Sequence, residues 1–293
     1  MSNELEYNVL ERIAVALEGI LSELRIINGK NSEKKLDSVK MPIITSEPQM
    51  IKSTKIQRFL DSKGFEFLGT REIEDIKTDF IKIANIIGNS YLLVEKFIKE
   101  IKRNLAGAKK FTLYMRDYSD DEKCAICGLA TTLKEHKFLK EYFYKKSPHF
   151  LLTAKPDNSP ELHNFYTGQW LEIYAANIVR TLFSGRHGTR SVNLNTKVKT
   201  NDGSDFEFDV IGILGDEVFW VECKTGDYKK YIIKYEKIAR KLGLDTSRVF
   251  LIIAGIDDVT VKALNDEHNI TICNVENFRS VFENSLNEIA INE

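Results

Sequence analysis

Apolar residues recur at two different spacings along this chain. At residues 4–27, ELEYNVLERIAVALEGILSELRII, the residues Leu10, Ile13, Leu17, Ile20, Leu24 and Ile27 step alternately by three and four. That is a seam of period 3.5, suited to a helix lying along another helix. It predicts an amphipathic, coiled-coil-like helix over residues 1–27 that joins two copies of the chain or docks on its own domain. The polar tether behind it favours self-association as a homodimer. Residues 28–53 hold two prolines and no periodicity, and read as a linker.

Residues 54–160 mix both periods. Helical spacing predicts helices over 55–62, over 72–104 with a break near Gly88, and over 131–146. FTLYM at 111–115 and HFLLTA at 149–154 read as strands. The unit is expected to be a small, helix-rich α+β domain.

Residues 161–293 are more regular. ELHNFYTGQWLEIYAANIVRTLF predicts a long amphipathic helix region, its main helix starting after Gly168. SVNLNTKVKT alternates as a strand. SDFEFDVIGIL and EVFWVECKT follow, split by a Gly215–Asp216 turn. YKKYIIKYEKIARKLG is helical, with Gly243 as its stop signal. RVFLIIAG is an unbroken apolar run, as at the buried centre of a sheet. A helix near 258–267, a strand ITICNV and a last helix complete the chain. The order α-β-β-β-α-β-α-β-α predicts an α/β fold in which an antiparallel meander runs into parallel crossovers.

Composition changes this picture little. A chain of 293 residues with net charge −1 is long enough for two domains and has no global preference for a charged partner. The N-terminus lacks the pattern of a signal peptide, and no stretch of eighteen uncharged apolar residues occurs. The expectation is a cytoplasmic protein with reduced thiols and no membrane span. Cys124 and Cys127 form a CxxC, but there is no second pair, and His136 and His149 fall at spacings no common zinc finger uses. A turn with two half-buried thiols is the reading that remains.

Local charge is more informative. Residues 96–155 carry 14 Lys and Arg against 7 Asp and Glu. Within them LKEHKFLKEYFYKK interleaves lysines, Lys137 and Lys140 among them, with Phe138, Tyr142, Phe143 and Tyr144. Lysines can neutralise phosphates and aromatics can stack on bases. An amphipathic helix with solvated lysines would give the same pattern. Further candidate contacts are Arg186 and Arg190, flanking His187 in the loop SGRHGTR, and Lys230 and Lys234 on the helix after VECKT.

The chemistry concentrates at residues 206–226, FEFDVIGILGDEVFWVECKTG. Strand alternation puts Trp220, Glu222 and Lys224 on one face of the second strand. In the first strand Asp205, Glu207 and Asp209 share a face, while Phe206, Phe208 and Val210 face the core. The hairpin brings Asp209 across from Glu222 and Lys224. Charged groups are costly to place among core residues unless paired or bound to a metal. Two carboxylates and an ammonium suit a hard divalent cation such as Mg2+ or Mn2+, held by Asp209, Glu222 and the carbonyl of Cys223. Lys224 would orient a water and offset charge growing at phosphorus. A surface ion pair between Glu222 and Lys224 is the plainer alternative, and it leaves Asp209 unexplained.

Asp209 followed by Glu222-Cys223-Lys224 resembles the PD-(D/E)XK, restriction-endonuclease-like nucleases, whose core is αβββαβ. GQWLE and EFDV…ECKTG look most like the nuclease domains of CRISPR-associated ancillary effectors of the Card1 and Can2 type. The resemblance covers about residues 161–275. It implies metal-dependent cleavage of phosphodiester bonds in nucleic acid, with DNA favoured over RNA, in defence or mobile-element biology. It adds Glu172, on the first core helix, as a further catalytic and metal-site carboxylate. Phe208 stands where the family usually has proline. Residues 1–160 lack the alternating β/α run with glycine-rich turns of the sensor domain in that branch. Two rival readings are weaker. A nucleotidyltransferase would place Gly203-Ser204 well before its acids, and here they are adjacent. A catalytically inactive nuclease-fold dimer that binds nucleic acid or a partner would not need to keep all four charged groups.

Overall fold

The computed structural model describes residues 54–291. The helix expected at 1–27, the linker at 28–53 and the dimer expected from that helix lie outside the described residues.

Three consecutive strands, β5 (Arg190–Thr200), β6 (Asp205–Leu214) and β7 (Glu217–Lys224), form the expected antiparallel meander. Gly215, at φ 59°, makes the turn between the last two. Helix α7 (Lys229–Leu242) then crosses to β8 (Val249–Ile253), parallel to β7, and α8 (Asp258–Glu267) crosses to β9 (Thr271–Cys273), parallel to β8. Gly243 ends α7 at φ 74°, where its missing Cβ removes the left-handed penalty. Before the meander stand the short α5 (Pro160–Asn164) and α6 (Trp170–Ser184), and α9 (Phe278–Ile291) follows β9. The α/β core is the predicted αβββαβ.

One strand of the sheet was not foreseen. β1 (Phe65–Glu72) pairs antiparallel with β5, so the six-stranded order is β1-β5-β6-β7-β8-β9. Phe65 and Phe67 flank Glu66, an alternation short enough to pass for part of a helix. α1 (Thr54–Ser62) precedes it and packs on the α7 side of the sheet through Ile56 and Leu60.

Both faces of this sheet are apolar. Trp220, Leu251 and Phe208 pack with Ile232 and Tyr235 of α7. On the other side Val210, Val221 and Phe250 pack with Val179 of α6 and Phe282 of α9. Phe206 and Phe208 therefore bury on one face and Val210 on the opposite face, not together as alternation alone predicts. β6 changes face at Asp209.

The front segment continues the α6-side core. Helices α2 (Thr78–Asn89), α3 (Tyr91–Asn104) and α4 (Asp120–Glu135) pack around a second sheet of order β2-β4-β3, from β2 (Phe111–Tyr114), β3 (Leu139–Lys145) and β4 (Leu151–Pro156). Their buried residues, such as Ile83, Phe97, Leu129 and Leu152, belong to one cluster with Trp170 and Val179 of α6. Residues 50–293 are one compact unit.

The expected break near Gly88 falls at Ser90, and Gly88 itself lies inside α2, where a Cβ would meet the Tyr174 ring at 2.4 Å. Its role is close approach of α2 to α6. The helix expected over 131–146 ends at Glu135, and a turn with Lys137 at φ 64° leads into β3. Tyr142 and Tyr144 pack against the core while Phe143 is exposed, so the aromatic run has period two. Among the described residues no helix is long and apolar enough to cross a membrane.

Candidate active site

The hairpin ladder stops where the charged residues begin. Val210 pairs with Val221, which puts Asp209 across from Glu222. There the two carboxylates take over the role of ladder acceptors. The N–H of Cys223 donates to Asp209 Oδ2 at 2.8 Å, and the N–H of Asp209 donates to Glu222 Oε1 at 3.2 Å. Buried backbone donors need partners, so this exchange holds both acids in fixed positions. Trp220 Nε1–H adds a third bond, to Glu222 Oε1 at 2.9 Å. Glu222 is only 2% exposed.

Lys224 completes the strand end. Its Nζ lies 3.5 Å from Asp209 Oδ2 and 3.6 Å from Glu222 Oε2, and donates to the Cys223 carbonyl at 3.0 Å. The rings of Tyr231 and Tyr235 on α7 stand 5.6 and 5.5 Å from it. Burial alone would lower the Lys224 pKa, but Asp209 and Glu222 together hold it above its ordinary value.

Glu172 comes from the first turn of α6. Asn195 Nδ2 donates to its Oε2 at 2.9 Å and to Glu207 Oε1 at 3.0 Å. Asn195 sits at φ 50° within β5, a conformation uncommon for a strand residue. Glu172, Asn195 and Glu207 line a cleft of about 450 Å³ with Gly168, Gln169 and Lys197. A helical irregularity over Phe165–Gln169, with Gly168 at non-helical angles, shapes its wall.

The acids are crowded. Burial, then the charge on Asp209, push Glu222 up to about 8 and Glu172 up to about 7. Burial raises Asp209 as well, against the pull of Lys224 and the Cys223 N–H. Three carboxyls thus share one ammonium, and Glu172 and Glu222 sit partly unionised near neutrality.

Whether these residues suit a divalent cation can be tested on that donor set. Among the described residues, no three His, Cys, Asp or Glu side chains converge tightly enough to enclose an ion. The chemistry of the donors fits. All are hard oxygens, Asp209 Oδ1 and Glu172 Oε1 accept no hydrogen bond from the described residues, and added positive charge would offset the burial and the mutual repulsion that raise the pKa values of these acids.

Sequence reasoning placed other candidates elsewhere. Arg186 and Arg190 lie at the opposite, hairpin end of the sheet, about 17 Å of strand from Glu222 at the usual rise per residue. Arg186 donates to Leu286 O at 3.2 Å and to Asn287 Oδ1 at 2.6 Å, and Arg190 donates to Phe183 O at 3.0 Å and Ser184 O at 2.7 Å. Both guanidiniums are engaged in tying elements together. Lys230 faces Asp227 at 3.5 Å, and Lys234 lies over the Phe206 ring at 4.8 Å, in a groove of about 530 Å³ that Lys237 and Lys241 also line. Lys137 is in the turn after α4, and Lys140 faces Asp157 at 3.7 Å on β3. Cys124 and Cys127 are on α4, not in a turn, while His136 faces Asp79 at 3.1 Å. The residues missed are Asn195 and Glu207 beside Glu172. A polar Asn inside a strand pattern, in NLNTK, was the available signal.

Residues 160–285 match the family model of the Card1-like endonuclease domain. Among solved structures, the chain is similar to protein VC1899 from Vibrio cholerae, at 17% identity and TM-score 0.51, covering 80% of this chain and 61% of that one. It is also similar to Can2 from Sulfobacillus thermosulfidooxidans in complex with cyclic tetra-adenylate, at 15% identity and TM-score 0.51, covering 80% and 60%. The chain therefore spans about three fifths of the length of these structures. At such identities the likeness establishes the fold. No curated protein matches the chain.

Proposed function

We propose that the Card1-like endonuclease domain makes this chain a metal-dependent nuclease, cutting phosphodiester bonds at the Asp209, Glu222 and Lys224 cluster. DNA is the first substrate to examine, with RNA beside it. The single observation that carries this reading is the position of the Lys224 ammonium, 3.5 and 3.6 Å from two largely buried carboxylates. A structural ion pair gains little from a second acid pressed into the same place.

In this reading Asp209, Glu222 and the Cys223 carbonyl would hold Mg2+ or Mn2+, with Glu172 completing the set from α6. What a divalent ion supplies when bound is Lewis-acid charge and a more acidic water. Trp220 Nε1–H and the Asp209 N–H keep the Glu222 carboxylate oriented. Asn195 does the same for Glu172. Lys224 stabilises a hydroxide at the reacting phosphorus and the negative charge that builds on the phosphoryl oxygens. Water attacks phosphorus, one P–O ester bond breaks, and the leaving oxygen takes a proton. Self-association through the N-terminal helix would set two such sites on one nucleic acid.

The test is incubation with plasmid, single-stranded DNA and RNA, with Mg2+ or Mn2+ and with EDTA in parallel. Cutting should need the ion and vanish in Glu222→Ala. Cutting that persists in Glu222→Ala or Lys224→Ala would remove these residues from the mechanism. Tight binding without cutting would favour an inactive nuclease-fold binder instead.

A further inference from the structure

We propose that Lys102, on α3 of the front segment, binds a phosphate of the nucleic-acid strand next to the one that is cut, and this rests on the nuclease reading above. The residue lies outside the matched endonuclease segment, yet its ammonium reaches the end of the motif strand. Lys102 Nζ is 3.2 Å from Thr225 Oγ1 and 3.5 Å from the Thr225 carbonyl. Thr225 directly follows Lys224. Its hydroxyl in turn donates to the Thr167 carbonyl at 2.7 Å, so its lone pairs face Lys102. Thr167 and Gly168 belong to the wall of the cleft that holds Glu172. The Lys102 ammonium is therefore fixed beside the cleft by one threonine.

What Lys102 lacks is a counter-ion. Among the described residues it faces no Asp or Glu, and both its partners are neutral oxygens. It is half-buried, and burial lowers its pKa with no acid to oppose the effect. A cation held part-way out of water without an anion is unfavourable for the free protein. The situation suits a site whose anion arrives with the substrate. Lys224, one residue before Thr225, is committed to Asp209 and Glu222, so Lys102, like Lys197 in the lining of the cleft, is left to meet a phosphodiester there. An ammonium has three donors and Thr225 takes two, which leaves one for a phosphate oxygen.

The experiment uses the full chain and labelled single-stranded DNA and RNA oligonucleotides, with Ca2+ replacing Mg2+ so that the strand is not cut. Lys102→Met keeps most of the side-chain length and removes the charge. It should weaken binding about tenfold and reduce the salt slope by about 0.7, the signature of one lost phosphate contact on a single strand. Lys102→Arg should recover most of the affinity. With Mg2+, Lys102→Met should raise KM while kcat stays within about twofold. Its melting temperature should equal or exceed that of the natural chain, because an uncompensated charge has gone. Unchanged affinity and salt slope, or a lowered melting temperature as the only effect, would overturn the proposal, as would a natural chain that binds neither oligonucleotide. A chain that binds but never cuts would refute the nuclease reading alone, since the Lys102 effect on binding would still be measured.

Discussion

The two ends of the main sheet treat their charged residues oppositely. At the hairpin end, Lys55 pairs with Asp216 at 3.3 Å, Arg248 bonds Glu217 and Asp245, and Arg190 closes on the last carbonyls of α6. Each charge there has a partner, and Asp216 is fully exposed. At the other end, Glu172, Asp209 and Glu222 crowd around one lysine, and Lys102 faces no acid among the described residues. The contrast separates charges that brace the fold from charges that await something. Paired surface ions contribute little either way. Buried, unbalanced ones persist against stability and mark a site.

The sharpest way to break that contrast is to remove charge at the crowded end. Lys224→Met should lower cleavage by about a thousandfold or more, as expected when a group stabilising charge at the reacting centre is lost. Glu222→Gln keeps an acceptor for Trp220 and the Asp209 N–H but removes one of three mutually repelling acids. It should abolish cleavage to a similar degree and leave the metal-free protein at least as stable as before. Cleavage rates and thermal melts in EDTA decide the matter. A large loss of stability in Glu222→Gln, with cleavage retained, would class the cluster as structural.

The same crowding sets a pH dependence with an unusual sign. Glu172 and Glu222 are raised to about 7 and about 8 from an ordinary value near 4.5. The folded protein then binds more protons than the unfolded chain between about pH 4.5 and 8, so stability falls as pH rises through that window. Melting temperature in EDTA should drop by several degrees between pH 5.5 and 8.5. Glu172→Gln with Glu222→Gln should flatten the profile. Mg2+ favours the ionised acids, so its stabilising effect should grow over the same range. A melting temperature that climbs steadily with pH in EDTA would contradict the crowding.

Much of this was legible in the sequence, for a physical reason. The two-residue turn at Gly215–Asp216 sets the hairpin register, so EFDVIG and WVECKT bring Asp209 across from Glu222 and beside Lys224 even though β6 changes face at Asp209. Gly243 and the boundaries of the helix at 258–267 followed from equally local signals. The misses are non-local. β1 is placed by β5, far along the chain. The aromatic run at 138–144 satisfies helical and strand patterns alike, and only packing against α4 decides it. Arg186 and Arg190 are basic residues in a glycine-bearing loop, and nothing in that string tells which end of the sheet the loop serves. Asn195 and Lys102 matter through partners 23 and 123 positions away in the chain.

Arg190 offers the mildest and most discriminating check on the comparison. Its Nη1 donates to Phe183 O and Ser184 O, the final carbonyls of α6, where a cation also meets the negative end of the helix dipole. Arg190→Ala should therefore cost about 1 kcal/mol, seen as a melting temperature about 2–4 °C lower. Because α6 also carries Glu172 in its first turn, about three turns away, a frayed C-terminus should leave the acid in place. Cleavage measured well below the melting temperature should stay within about twofold. A drop of more than tenfold with an unchanged melt would mean that the loop at the hairpin end meets the substrate after all, and the division between bracing and waiting charges would have to be redrawn around it.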